Sequence, residues 1–233
     1  MGSVAGILVD YSQNVEIYGT GAQLLGSDSN NAGSNVGIEI TQSKNVIVRA
    51  GRAKINITKF RNGLSVKGSE GVTVSGLDLF DQIDKGVFLF NSKTIKVSAL
   101  RISRNDSALT PIGMFVYGSE NSSADQISIS KVIVGLDVQK SKSSTFSGFD
   151  IYGVAETGAK FSGNTTLQFA NSQISPKYNG ILFGTENNTG IALSNVKVVP
   201  NTLAKELSIC KKNHPSAPEL ANTSPSVVYN CPF

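Results

Sequence analysis

Residues 37–55 read GIEITQSKNVIVRAGRAKI, residues 63–79 read GLSVKGSEGVTVSGLDL, and residues 86–102 read GVFLFNSKTIKVSALRI. Each phrase is a glycine, a short alternating strand, a polar turn and a second strand. Further copies open at Gly6, Gly113, Gly135, Gly158 and Gly180, so successive anchor glycines lie 31, 26, 23, 27, 22, 23 and 22 residues apart. A repeat of that length, built of strands with no helical period, marks a solenoid of β-coils, because one coil cannot bury its apolar face alone and must stack on the next. Ile38 and Ile40 alternate with Glu39 and Thr41, so one set faces inward and the other outward. Parallel strands about 4.8 Å apart place such coils along a rod roughly 35 to 40 Å long. Glycine at the anchor implies either a positive φ or a close approach to the neighbouring coil.

A second register mark is a small or polar residue followed by an apolar one: Asn14-Val15, Asn45-Val46, Gly71-Val72, Thr94-Ile95, Gln126-Ile127, Thr145-Phe146, Thr166-Leu167 and Gly190-Ile191. In five of the eight coils the apolar member falls nine residues after the anchor.

This pattern resembles the right-handed parallel β-helix superfamily of pectate lyases, polygalacturonases and phage tailspikes, over roughly residues 4–200. Residues 189–199, TGIALSNVKVV, followed by Cys210 with Lys-Lys-Asn-His-Pro-Ser and then Cys231, are similar to the carboxyl end of polygalacturonase-like hydrolases. That likeness implies a finished last rung and a small closing disulfide. The family's catalytic phrases, Asn-Thr-Asp, Asp-Asp and Gly-His-Gly, have no counterpart, and the only histidine is His214. The resemblance therefore implies fold rather than activity. The expected architecture is an all-β, single-stranded right-handed parallel β-helix of about eight rungs over residues 1–203, with a C-terminal capping tail over 204–233.

Composition bounds the rest. The 233 residues suit one domain with a sizeable core. Only 16% are charged, against about 25% in average globular proteins, so the surface is neutral and rich in hydroxyl and amide groups. The net charge of +4 is spread without a Lys/Arg run or a stacking aromatic motif, which argues against nucleic acid and is compatible with an acidic polysaccharide. No stretch reaches the roughly 18 to 20 apolar residues of a membrane span, and VAGILV is too short for a signal-peptide core. The chain enters its first rung at once, as a mature protein after leader removal or as a piece of a longer β-helix would. A solenoid end needs a cover, for which residues 27–35, SDSNNAGSN, or another subunit are the candidates.

Cys210 and Cys231 bracket an irregular segment of 20 residues, a pattern that favours a bridge in an oxidising compartment. Closing such a loop stabilises by roughly 3 kcal/mol in the chain-entropy model. Glycosylation sequons stand at Asn56, Asn105, Asn121, Asn164, Asn187 and Asn222.

Two surface features are candidates for function. In the strand after the anchor, rungs four and five place Phe88, Phe90, Phe115 and Tyr117 outward, where neighbouring rungs carry Ser65, Lys67, Asp137 and Gln139. In-register parallel strands bring the four rings into one patch, which marks contact with a sugar, a second subunit, or the chain's own residues 104–112. The second feature is charge in the turns before the anchors, where Asp81, Asp84, Lys85, Arg104 and Asp106 recur on neighbouring rungs. Glycoside hydrolysis needs two carboxyl groups about 5 to 9.5 Å apart, which rungs can supply, and uronate elimination needs a cation and a base. Asp84 or Asp81 with Asp106 fits the first, and Lys85 or Arg104 the second. Alternating charges in solvated turns are more often ordinary ion pairs, and Lys85 beside Asp84 favours its ionised form. Asp78, Asp81 and Asp84 recur every third residue as calcium ligands would, without further specified oxygens, and one histidine with two tail cysteines cannot build a zinc site.

The reading is an extracellular or virion-surface β-helix without cofactor or metal, acting by carbohydrate contact or as a unit of a fibre or coat, its partners being carbohydrate or copies of itself in an oligomer or filament. The alternatives are a polysaccharide lyase or glycoside hydrolase on an acidic glycan, and a tailspike or adhesin fragment.

Overall fold

The computed structural model describes residues 5–26, 35–104, 110–184 and 186–199, with the backbone of residues 209–211 and 219–221. Every strand pairing among them is parallel and joins a strand to its equivalent one repeat away. The anchor strands Ala5–Asp10, Val36–Thr41, Asn62–Lys67, Lys85–Phe90, Thr110–Tyr117, Val132–Gln139, Thr157–Ser162 and Asn179–Phe183 form one sheet in sequence order, and Ile209–Lys211 adds a ninth strand. Eight anchor strands enclose seven complete turns of an all-β solenoid, the right-handed parallel β-helix, with no helix among the described residues. The strands after the polar turns make a second, twelve-stranded sheet. Short strands Gln23–Leu25, Ile55–Thr58 and Leu77–Phe80 form its far side in the first three rungs, and from Lys96–Ser103 onward one longer strand spans both sides.

Stacking in register turns the period-two pattern into apolar columns. Ile38, Leu64, Val87, Met114, Leu136, Ala159 and Ile181 lie one above another, all at 0% exposure. Burying each large aliphatic side chain contributes about 1.5–3 kcal/mol, so the core grows with each rung. A Cβ added to the anchors Gly37, Gly63, Gly86, Gly113 or Gly158 would meet the carbonyl oxygen of the next anchor glycine within 2.8 Å. None of the anchors has a positive φ. Close approach between coils, rather than turn geometry, therefore requires the glycine.

Positive φ belongs instead to the polar turn. Asn14, Asn45, Gly71, Thr94, Asn121, Ser143, Thr166 and Gly190 hold φ between 50° and 67° and occupy equivalent positions. The second register mark is thus corrected in two rungs: the equivalents are Asn121-Ser122 and Ser143-Ser144, not Gln126-Ile127 and Thr145-Phe146. There the inward residue is a serine, Ser122 at 2% and Ser144 at 1% exposure, so a search for an apolar follower slides into the next strand.

Beside this turn a buried polar ladder runs along the rod. The amides of Ser12, Ser43 and Ser69 donate to the hydroxyls of Ser43, Ser69 and Ser92 at 3.0, 3.1 and 3.2 Å. Ser119 donates to Ser141 at 3.3 Å, Ser141 to Asn164 Oδ1 at 2.9 Å, and Asn164 to Asn188 Oδ1 at 2.9 Å. The hydroxyls return their protons to the carbonyl two residues earlier, as Ser43 does to Thr41 at 2.8 Å. Backbone groups facing the interior at the turn are thereby satisfied.

The ends differ. In the first rung Ile7, Val15, Ile17 and Leu24 are only partly buried, and Leu8, Tyr11, Tyr18 and Leu25 are 55–79% exposed. Most of its proposed cover, residues 27–34, lies outside the described residues. At the other end Ile209–Lys211 pairs with Asn179–Phe183 and Glu219–Ala221 with Thr189–Val198, so these two pieces of the expected cap lengthen the two sheets, and the rest of 204–233 lies outside the described residues. The Cys210 side chain and Cys231 lie outside the described residues, and no disulfide is found among those described.

Candidate functional site

The outward positions of the anchor strands form two rows along the first sheet. One reads Glu39, Ser65, Phe88, Phe115, Asp137, Lys160, and the other Thr41, Lys67, Phe90, Tyr117, Gln139, Ser162. The four rings lie together in the middle. Phe88 and Phe115 are nearly parallel with centroids 5.7 Å apart and planes at 15°, and Phe90 and Tyr117 repeat the arrangement at 5.5 Å and 13°. Within a strand the rings tilt, Phe88 to Phe90 at 5.7 Å and 43°, Phe115 to Tyr117 at 6.4 Å and 35°. All four are half-buried.

Lysines frame the array. Lys85 Nζ lies 5.5 Å from the Phe88 centroid and 5.8 Å from that of Phe115, Lys67 Nζ 6.0 Å from Phe88, and Lys140 Nζ 5.7 Å from Tyr117. Each is tethered by a carboxylate: Lys67 to Glu39 at 2.7 Å, Lys85 to Asp84 at 2.8 Å, Lys140 to Glu186 at 3.2 Å. Glu186 and Tyr117 together hold the Lys140 ammonium above the ordinary lysine value. Cations over ring faces within about 6 Å gain from the ring quadrupole, so the tethers and rings reinforce one geometry.

The row beside the rings is unusually buried for an outer face. Asp137 is 4% exposed, accepts from Gln139 Nε2 at 3.0 Å and lies 3.8 Å from Lys160 Nζ. Burial pushes its carboxyl above the usual range, while Lys160 and Gln139 pull it back in part. On the other side Ser65 is 0% exposed, and its hydroxyl has no hydrogen-bond partner among the described residues, nor has Asn62 Oδ1.

The charged turns resolve differently. Asp84 is held by Lys85 and, at 3.6 Å, by Arg61, so Asp84 and Lys85 stand at the edge of the ring array. Arg104 donates to the Gln82 carbonyl at 3.2 Å, and Asp81 sits at φ 57° with its amide bonded to Ser103. Asp106, Asn105 and the rest of residues 105–109, expected as partner carboxylate and as cover of the rings, lie outside the described residues. The three aspartates spaced as calcium ligands do not converge: Asp78 belongs to the second sheet, bound at 3.0 Å by both Lys54 and Arg101.

Of the sequons, Asn121 and Asn187 are exposed at turns and Asn56 is half-buried in a strand. Asn164 is 0% exposed, and its Nδ2 donates to the Val138 carbonyl at 2.8 Å and to Asn188 at 3.0 Å, so the folded rod leaves no room for a glycan there. Asn222 lies outside the described residues. Sequence reasoning missed the polar ladder and the framing role of Lys67 and Lys140. The ladder had a signal: Ser12, Ser43, Ser69, Ser92, Ser119, Ser141 and Asn164 each fall six residues after an anchor glycine.

No protein-family model matches the chain, and no curated protein matches its sequence. Solved structures do match its shape. The enzymatically active domain of tailspike protein 2 of bacteriophage CBA120 superposes with a TM-score of 0.61 at 13% identity, over 85% of this chain and 33% of that one. Full-length tailspike protein 2 from an Escherichia coli O157:H7 bacteriophage gives 0.51 at 12% identity, over 84% and 28%. The chain thus spans about a third of the length of these tailspikes. At such identities the likeness is one of fold, and the shared fold is the parallel β-helix.

Proposed function

We propose that this protein contacts carbohydrate through the outer face of its first sheet, with Phe88, Phe90, Phe115 and Tyr117 as the apolar platform, and that it does so without cleaving the glycan. The observation that carries this is the ring array itself, four side chains assembled by register on an outer face, only half-buried and framed by tethered lysines. A platform of this kind suits the C–H faces of sugar rings, and groups of the neighbouring rungs, Gln139 and the lysines, suit hydroxyls or carboxylates at their rim. The fold shared with tailspikes supports an extended glycan lying along the rod, and an extracellular or virion surface as the setting, in which a Cys210–Cys231 bridge and glycans on Asn121 and Asn187 belong. The chain then acts alone or as a unit of a larger fibre or coat.

A hydrolase reading has one observation in its favour, the buried Asp137 beside Phe115, whose carboxyl burial pushes upward, the direction a general acid needs. Along its own row the neighbours one rung away are Phe115 and Lys160, so no second carboxyl stands at the roughly 5 to 9.5 Å hydrolysis requires in that row. The test is incubation with neutral and uronate-containing glycans, read by affinity electrophoresis and by reducing-end and unsaturated-product assays. Retardation that Phe115→Ala and Tyr117→Ala both weaken, with no new ends, is expected. Product formation abolished by Asp137→Asn overturns the non-catalytic part, and retardation indifferent to both ring changes overturns the site.

A further inference from the structure

We infer a second, independent glycan-contact groove on the second sheet, at the corner of rungs six to eight, suited to neutral polyhydroxylated sugars. An open groove of about 480 Å³ lies there, lined by Gly148, Asp150, Asn171, Gln173, Asn195 and Lys197. Its floor is backbone, since Phe149 and Ser172 turn their side chains inward at 2% and 4% exposure. Its walls are two rows fixed by the parallel register. Asp150, Gln173 and Lys197 stand on successive rungs, so a carboxylate, an amide and an ammonium follow one another at about 4.8 Å intervals. Gly148, Asn171 and Asn195 form the other row, all at positive φ, 63°, 49° and 52°, which turns the chain at the corner.

The Asn195 amide donates to Asn171 Oδ1 at 3.0 Å in an exposed ladder, a single bond that leaves both side chains further donor and acceptor capacity. At Gly148 the space a side chain would take is already filled: an added Cβ would stand 2.8 Å from Asp125 Oδ1, which accepts from Ser147 Oγ at 2.8 Å, so a carboxylate stands beside this end of the groove.

Acceptors and donors therefore both line the groove, passing from a carboxylate through an amide to an ammonium. Asp125 and Asp150 disfavour phosphate and sulfate, and the charged and amide side chains disfavour a wholly apolar ligand. Sugar hydroxyls, which donate and accept at once, match the pattern, with vicinal pairs bridging a carboxylate and the amide one rung away. Groove and ring array lie on different sheets, so this inference stands whether or not the rings bind.

The experiment is amide chemical-shift mapping of the whole protein titrated with maltohexaose, cellohexaose, mannohexaose and xylohexaose. At least one is expected to give saturable shifts at residues 148–150, 171–173 and 195–197. Gln173→Ala should weaken those shifts about fivefold, the effect of one neutral hydrogen bond, while Phe115→Ala leaves them unchanged. Absence of groove shifts with all four sugars, or equal affinity in Gln173→Ala, overturns the proposal. Groove shifts that vanish with Phe115→Ala do so as well, because they would make this face an extension of the ring site. Should Gln173→Ala unfold, Lys197→Ser, exposed and at the groove's end, serves the same reading.

Discussion

The rod carries two aromatic clusters, one inside and one outside, and they obey different rules. Inside, Phe146, Phe149, Phe161, Phe169 and Phe183 fill rungs six to eight at 0–3% exposure and meet at 40° to 62°, with centroids 5.6–6.4 Å apart. Outside, the in-register rings lie within 13–15° of parallel. Phe161 and Phe183 are register partners just as Phe88 and Phe115 are, yet they tilt by 40°. Register alone therefore does not fix the angle between stacked rings: on the open face register partners lie nearly parallel, whereas in the closed interior the demand to fill space tilts them. Inner rings are sealed in the core of the rod, while outer rings keep part of their surface exposed.

The sharpest way to break that distinction is truncation on each side. Phe169→Ala should cost about 3–5 kcal/mol in urea unfolding, through lost burial and an interior cavity. Phe115→Ala, on the outer face, should cost less, since its ring is only partly buried and its loss opens no interior cavity, although a stacked pair contributes about 0.5–1.5 kcal/mol beyond area. Equal losses would mean that the outer array is structural and would weaken its reading as a contact site.

Between these extremes lies the buried ladder. Asn164→Ala removes the acceptor of the Ser141 amide and the donor to the Val138 carbonyl, orphaning both in the interior. Each unmet buried group costs about 1–3 kcal/mol, so a loss of at least about 2 kcal/mol is expected in the same assay. Asn164→Ser, which imitates the earlier rungs, should recover part of it. No recovery would show that the wider asparagine, spanning to Asn188, is required at this end.

Much of this was legible beforehand. The anchor spacing and period-two alternation specify the parallel solenoid, and the outward parity of Phe88, Phe90, Phe115 and Tyr117 places the ring array, because both follow from local pattern plus a fixed register. The displaced mark in rungs five and six has a physical cause: the inward residues there, Ser122 and Ser144, are satisfied by a bond from the Ser122 amide to the Ser144 hydroxyl and by the carbonyls of Glu120 and Lys142, so hydrophobicity no longer marks the interior. The nine-residue offset from Gly113 and Gly135 points to them directly, and following spacing rather than apolarity finds them. Ion pairing was less legible. That Lys67 turns to Glu39 and Lys140 to Glu186 depends on which rung each long side chain leans toward, which neither parity nor spacing dictates.

The smallest expected effect tests the polar rim of the outer array. Burial holds the Asp137 carboxyl above its usual 3.8, and Lys160 with Gln139 offsets this only in part. The folded rod then binds that proton more tightly than the unfolded chain does. The stabilising contribution of the neutral acid is fully present below pH 3.8 and is lost as the pH rises through the folded value. Asp137→Asn imitates the neutral acid, so the variant should be more stable than the parent at about pH 7, and the gain should shrink to nothing below about pH 3.8. Urea unfolding at both pH values reads the difference. A variant less stable at neutral pH would mean that attraction to Lys160, 3.8 Å away, outweighs burial. The outer face would then be held by its ion pairs, and ionised Asp137 would be a fixture of the rim rather than a strained group available to a ligand.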